Sequence, residues 1–152
     1  MTLNQTGATP TSGWATRIAA AVLCLGVTAI HIIDQGGIPG SKTPTYVGIG
    51  YYVLEIIGVL TAVLLLVRAS QLGWFLAIGV AAGPLIGYIL SRGPGLPDYD
   101  DDKGNWTEPL GLISLVVEGV LLILAIALFL RTARVGSAAT GSARRPASRI
   151  EA

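Results

Sequence analysis

Long apolar runs separated by shorter polar stretches form the pattern of this chain. Four of these runs are long enough to cross the hydrocarbon core of a bilayer as helices, which takes about 20 residues. The period-2 alternation typical of membrane β-barrels is absent from the sequence. Because a backbone in lipid must satisfy its own hydrogen bonds, the pattern predicts an all-α membrane fold, a bundle of four transmembrane helices. The predicted spans are 14–33, 45–67, 72–91 and 109–130.

Polar segments flank this membrane domain, which we place at residues 14–131. Residues 1–13 are a polar leader and residues 132–152 a small-residue, basic tail, and neither has the apolar content to build a core, so both are predicted to be disordered. The first apolar run is long and is not followed by an A-x-A cleavage site, so we interpret it as a span rather than a signal peptide. A composition of 52% hydrophobic and 12% charged residues suits lipid better than it suits a soluble domain.

Lysine and arginine are divided unequally between the two ends of the predicted helices. One side carries Lys42, Arg92 and Lys103, and the other side carries the remaining arginines. By the positive-inside rule, the arginine-rich side is cytoplasmic. The sequence therefore predicts a multi-pass plasma-membrane protein with both termini in the cytoplasm and with loops 34–44 and 92–108 outside. The lipid bilayer is the expected partner, and a net charge of +1 gives no indication of nucleic-acid binding.

The two halves of the chain resemble each other. A glycine, a glutamate and an alanine follow at intervals of seven residues in both the second and the fourth span. We therefore predict an internal repeat of two tandem helical hairpins, related by a pseudo-twofold axis along the membrane normal, as in transporters built from parallel repeats. The alternative is chance similarity between two aliphatic helices. The matched pairs are Gly48 with Gly111, Glu55 with Glu118, and Ala62 with Ala125.

Each repeat places one carboxylate inside the membrane. Residues seven apart share a helix face, and small residues in lipid mark faces that meet other helices. Glu55 and Glu118 are therefore expected to face a common bundle interior, at the same depth of about 15 Å. Two carboxylates there cannot comfortably both be ionised, and a shared proton, a bound cation or a basic side chain would relieve the charge. The alternative is that both are protonated and only hydrogen-bond neighbouring helices.

Further polar side chains cluster towards the predicted outer half. Together with the glutamates they are expected to line a polar pocket that opens outward and is sealed inward by aliphatic residues. Asp34 and Arg92 hold equivalent positions in the two repeats and are expected to pair. The candidate ligand- or proton-binding residues are His31, Asp34, Tyr51, Tyr52, Glu55, Tyr88, Arg92, Glu108 and Glu118.

Metal and cofactor sites find little support in the sequence. His31, Glu55 and Glu118 are a ligand set that suits zinc or iron, although His31 is expected nearer the surface than the glutamates. One histidine cannot provide bis-histidine haem ligation, and neither lysine lies in a span where retinal could form a Schiff base. The chain contains no P-loop and no G-x-S-x-G motif. No cofactor and no catalytic residue is indicated, and the lone Cys24 is interpreted as a packing residue.

Residues 90–118 resemble a pattern in small, uncharacterised bacterial four-helix membrane proteins. Such proteins typically carry Ser-Arg-x-x-Gly-Leu-Pro, then Trp or Glu-Pro-x-Gly or both, then a membrane glutamate, here Glu118. An Ile-His pair near the end of the first span, here Ile30 and His31, fits the same pattern. The resemblance implies the four-helix architecture and the region of the site, but no activity. The matching positions are Ser91, Arg92, Gly95, Leu96, Pro97, Trp106, Glu108, Pro109 and Gly111.

Three classes of function remain open at this point. The first is a structural or accessory subunit of a membrane assembly, with a membrane-protein partner or a second copy of the chain. The second is a binding or transport protein whose outward pocket takes a cation, a proton or a small ligand through Glu55 and Glu118. The third is a metal-dependent membrane enzyme, and the sequence favours a function other than catalysis.

Overall fold

The computed structural model describes residues 13–68 and 70–143, with side chains through Arg134. It contains four helices, each long and apolar enough to cross a membrane, so the predicted four-helix membrane bundle is confirmed. The helix boundaries agree with the predicted spans to within one residue, except at the C-terminal end of the last helix. Residues 1–12 of the predicted leader lie outside the described residues. The helices are α1 (Trp14–Asp34), α2 (Thr45–Val67), α3 (Gln71–Arg92) and α4 (Pro109–Ala143).

The end of α4 corrects one prediction. Residues 132–152 were predicted to be disordered, whereas the helix continues to Ala143. Ala133, Ala138 and Ala139 have the highest helix propensity of any residue type, so a helix that begins in the membrane continues past its apolar part. The part of α4 that is long and apolar enough to cross a membrane is Pro109–Arg134. Residues 144–152 lie outside the described residues.

α1 and α3 each contact the other three helices, and they meet each other between α2 and α4. α1 packs most extensively on α2, and α3 packs most extensively on α4, which is the pairing expected of two successive hairpins. Within the described residues, α2 and α4 do not contact each other. The internal repeat itself remains a prediction from the sequence.

A glycine sets the close approach of α1 and α2. A side-chain carbon added at Gly58 would overlap the Thr28 hydroxyl and would lie 3.5 Å from the Cys24 carbonyl oxygen. The Thr28 hydroxyl is fixed in place because it donates to that same carbonyl oxygen at 3.1 Å. Cys24 is fully buried in the core, as predicted for a packing residue. Gly58 is therefore required by space rather than by backbone conformation.

Side chains cap the end of α2 and the start of α3, on either side of the short connection between these helices. Arg17 of α1 donates through Nε to the Leu65 carbonyl oxygen at 2.6 Å and through Nη2 to that of Leu66 at 2.5 Å. These are last-turn carbonyls of α2, which have no partner within their own helix and favour a nearby cation. At the start of α3, the Ser70 hydroxyl accepts from the Gly73 amide at 3.2 Å, as an N-cap residue does.

Candidate functional site

A cavity of about 510 Å³ lies between α2 on one side and α3 and α4 on the other, with the end of α1 in its wall. We call it the central cavity, and its volume lies in the range of small-molecule sites. Most of its wall is apolar, and its polar groups gather towards the end covered by the loop between α3 and α4. Seven of the nine predicted site residues line it, namely His31, Asp34, Tyr51, Tyr88, Arg92, Glu108 and Glu118.

His31 and Glu118 form a pair on the wall of the central cavity. The Nε2 atom of His31 lies 3.9 Å from Oε1 of Glu118, and the Glu118 carboxyl also accepts a hydrogen bond from the Ser114 hydroxyl. His31 Nδ1 lies 2.9 Å from the Val27 carbonyl oxygen, which can only accept, so Nδ1 carries a proton. In the neutral ring, Nε2 is then an acceptor. Two acceptors therefore face each other, too far apart for a direct hydrogen bond and close enough for one donor group to bridge them.

Glu55 lies elsewhere, and the prediction that the two glutamates face a common interior is wrong. Both are buried, Glu55 at 6% exposure and Glu118 at 1%, but Glu55 lines a separate groove of about 400 Å³ on α1 and α2. There its carboxyl accepts from Gln35 Nε2 at 2.6 Å. The physical reason is that α1 and α3 meet between α2 and α4, which therefore have no common interface. Tyr52 lines the same groove, and its hydroxyl accepts from the Gly40 amide at 2.7 Å.

Asp34 has a local partner rather than the predicted partner Arg92. Its carboxylate lies 3.3 Å from Lys42 Nζ and accepts a hydrogen bond from the Tyr51 hydroxyl. Lys42 lies in the first loop and also sits 5.6 Å from the centre of the Tyr51 ring. The Tyr51 ring in turn contacts the imidazole of His31, with 5.3 Å between ring centres. Asp34 is therefore neutralised, and Tyr51 is held against the cavity.

Arg92 joins the end of α3 to α4 and to the loop between them, residues 93–108, which we call the second loop. Its Nε donates to the Asn105 carbonyl oxygen at 2.8 Å. Its two terminal nitrogens lie 3.3 Å from a Glu108 oxygen and 3.7 Å from an Asp102 oxygen. Its guanidinium also covers the Tyr88 ring at 3.9 Å, a cation–π contact. The buried charge of Arg92 is thus balanced by two carboxylates.

Glu108 caps the start of α4. Its two carboxylate oxygens accept from the amides of Leu110 at 3.1 Å and Gly111 at 2.7 Å. Pro109 has no amide hydrogen and fits the first helical position, so these are the first amides that need a partner. A side-chain carbon on Gly111 would come within 2.8 Å of both Glu108 and the Tyr88 ring. The Glu-Pro-x-Gly motif thus combines a cap, a helix start and the space needed for close packing.

The loop between α3 and α4 covers one end of the central cavity. Leu96 and Tyr99 of this loop line the cavity, and Tyr46 of α2 donates through its hydroxyl to the Pro97 carbonyl oxygen at 2.6 Å. Tyr99 is buried and donates to Asp102 at 2.8 Å; burial first, and then this hydrogen bond, raise the pKa of Tyr99. Tyr99 therefore stays protonated as a donor. The loop therefore forms part of the cavity wall at the end where the polar groups gather.

The predicted metal set is not assembled. Glu55 lies outside the central cavity, so only His31 and Glu118 of the three predicted ligands come together. Across residues 13–68 and 70–143, no group of three or more His, Cys, Asp or Glu side chains could hold a metal ion. The geometry therefore gives no support to a metal centre at these residues.

Sequence reasoning missed Ser114, Tyr99 and Tyr46. Ser114 had a usable signal, because it precedes Glu118 by four residues and so lies on the same helix face. Tyr99 and Tyr46 had none, since their positions depend on the path of the second loop over α2.

Comparisons of the chain with protein-family models, with curated proteins and with solved structures find no match. The family suggested by residues 90–118 stays a prediction. What the structure adds is that residues of that motif meet in space: Arg92 contacts Glu108, and Gly111 leaves room for both.

Proposed function

We propose that the protein binds a small molecule in the central cavity, through one hydrogen-bond-donating group held between His31 and Glu118. The observation that carries this proposal is the 3.9 Å separation of His31 Nε2 and Glu118 Oε1 on the cavity wall. Oε1 of Glu118 already accepts from the Ser114 hydroxyl and can accept a second hydrogen bond, so one donor group placed between the pair would bond to both Glu118 and His31. The 510 Å³ volume leaves room for the rest of the molecule along the apolar wall.

The charges around the cavity favour a cationic donor. Asp34 is neutralised by Lys42, and Arg92 by two carboxylates of the second loop. Glu118 has a hydroxyl, that of Ser114, as its hydrogen-bonding partner. An ammonium group would supply both the donor and the opposite charge, and charge-assisted hydrogen bonds are stronger than neutral ones.

Glu118→Gln is expected to weaken the binding of octylamine by roughly tenfold or more, because the charge that attracts the ammonium is lost. The matched control is Glu55→Gln, which changes the other buried glutamate but leaves the central cavity intact, and it should bind as the unmodified protein does. Histidine labelled with ¹⁵N reports the binding directly, since His31 is the one histidine of the chain. In nanodiscs, octylamine should shift the Nε2 resonance of His31.

Three outcomes of this titration contradict the proposal. Octylamine could leave the His31 resonance unmoved in the unmodified protein. The two glutamine variants could bind equally well. Finally, octane, which has no donor, could shift the resonance as much as octylamine.

A structural or accessory role is the second candidate. The observation that favours it is the hydrogen bond between Gln35 and Glu55, which joins α1 to α2 through a buried carboxyl away from the central cavity. Such a group serves helix packing, as expected for the first function class predicted from the sequence. Native mass spectrometry of gently extracted protein separates the candidates: a stoichiometric partner chain supports the accessory role, and a small-molecule adduct supports the binding role.

We also propose that the protein lies in the plasma membrane with both termini in the cytoplasm, and that it belongs to the bacterial four-helix proteins that residues 90–118 resemble. The distribution of arginine supports this orientation. Cys24 is buried, so introduced cysteines can be labelled against a silent background. A membrane-impermeant maleimide should label Ser41→Cys in intact cells and Gln71→Cys only after the membrane is opened. Labelling in the reverse order would contradict the orientation.

A further inference from the structure

Four glycines in the wall of the central cavity do not serve close helix packing. A side-chain carbon added at any of them would meet nothing within 4 Å, in contrast to Gly58, where it would overlap Thr28. Three of them follow each other at intervals of four along one face of α3, opposite the fourth on α2. Their missing side chains therefore leave a gap between α2 and α3. The four are Gly50, Gly79, Gly83 and Gly87.

This gap opens towards the lipid. Two residues that line the cavity are exposed on the outside of the bundle: Val53, near the middle of α2, at 48%, and Phe75, in the second turn of α3, at 59%. Gly79 and Gly83 beside them are exposed as well. The middle of a transmembrane helix faces hydrocarbon wherever no other helix covers it. The lateral opening therefore leads from the cavity into the bilayer.

The loop between α3 and α4 lies over the other end of the cavity and covers part of it. The cavity-lining residues Ser91, Arg92 and Tyr99 are buried, and the second loop is tied to α2 by the hydrogen bond from Tyr46. A molecule dissolved in the bilayer therefore meets an uncovered entrance, whereas one dissolved in water meets the loop. The polar pair of His31 and Glu118 lies inside, beyond an entrance made of glycine and apolar side chains.

We propose that the cavity takes its ligand sideways from the bilayer, and that this ligand is an amphiphile with an apolar chain and one donor group. The inference rests on the proposed function, and it adds the class of ligand and its route. The chain would lie in the gap between α2 and α3, in contact with Val53 and Phe75. The donor group would reach His31 and Glu118, which an apolar molecule has no group to satisfy.

Two probes of different solubility separate the route through the bilayer from the route through water. Hexadecylamine dissolved in the nanodisc lipid should shift the His31 Nε2 resonance. Methylamine, which carries the same ammonium group without a chain, should leave the resonance unmoved at the same ratio to protein. This comparison uses the unmodified protein, so it does not depend on how any variant folds.

Filling the opening provides the second test. Gly83→Leu and Gly79→Leu should each weaken hexadecylamine binding roughly tenfold or more, since leucine occupies the space that the chain needs. The matched control is Gly119→Leu, because Gly119 also has open space around it but lies outside the cavity lining. This control should bind hexadecylamine as the unmodified protein does.

The outcomes distinguish this inference from the proposed function. If methylamine and hexadecylamine both shift His31, and neither leucine variant near the opening matters, the lateral route is wrong and the donor site stands. If no amine shifts His31, the donor site itself is wrong. If Gly83→Leu abolishes self-association of the chain in lipid, measured by energy transfer between labelled copies, a second copy occupies the opening and the amphiphile is excluded.

Discussion

Arg92→Met is expected to lower the free energy of unfolding by about 3 kcal/mol, the low end of the cost of removing one partner from a buried ion pair. The substitution keeps much of the side-chain volume but removes the cation between Glu108 and Asp102. It also removes the donor to the Asn105 carbonyl oxygen, which fixes the second loop. Unfolding by dodecyl sulfate in mixed micelles, followed by tryptophan fluorescence, measures the loss.

Two further variants serve as controls for this measurement. Arg131→Met removes an exposed arginine of α4 and is expected to change the unfolding free energy by less than about 0.5 kcal/mol. Arg92→Lys keeps the charge but cannot reach three oxygens in fixed directions, so it should recover part of the loss. Equal effects of Arg92→Met and Arg131→Met would show that the ion-pair cluster does not stabilise the loop.

Gly58→Ala is expected to cost about 2 kcal/mol, because the added carbon overlaps the Thr28 hydroxyl at the contact of α1 with α2. Thr28 cannot easily turn away, since it is buried and hydrogen-bonded to the Cys24 carbonyl oxygen. The same unfolding assay should show that Thr28→Ala combined with Gly58→Ala is less destabilised than the sum of the two single variants. The control is Gly119→Ala, where the added carbon meets nothing.

A strictly additive double variant would contradict this explanation. Additivity would mean that the clash is not with Thr28. A cost for Gly119→Ala as large as that for Gly58→Ala would instead point to a general effect of alanine in these helices.

The helices could be predicted closely because lipid leaves few alternatives. A run of about 20 apolar residues must form a helix that satisfies its own backbone, and prolines and charges mark its ends. The exception, the continuation of α4 to Ala143, has the opposite cause. Beyond the membrane, hydropathy no longer determines whether the chain is helical. The polarity of the tail predicts disorder, but its alanines favour a helix.

The candidate site could be predicted only in part. The spacing of small residues correctly indicated that Glu55 and Glu118 are buried, because periodicity identifies the face of a helix that meets other helices. Periodicity does not identify which helix covers that face. The Glu55 carboxyl accepts from Gln35, at the end of α1, whereas Glu118 accepts from Ser114 of its own helix and faces His31 of α1. The partner of Asp34 depended in the same way on the path of the first loop.

The contacts of α1 with all three later helices have a consequence for biosynthesis. A ribosome delivers helices to the membrane in chain order, and α1 precedes the three helices that it contacts. Each later helix therefore arrives with one of its final neighbours already inserted, and α4 can dock on α1 without rearranging α2, which it does not touch. The order of insertion and the order of assembly can thus be the same.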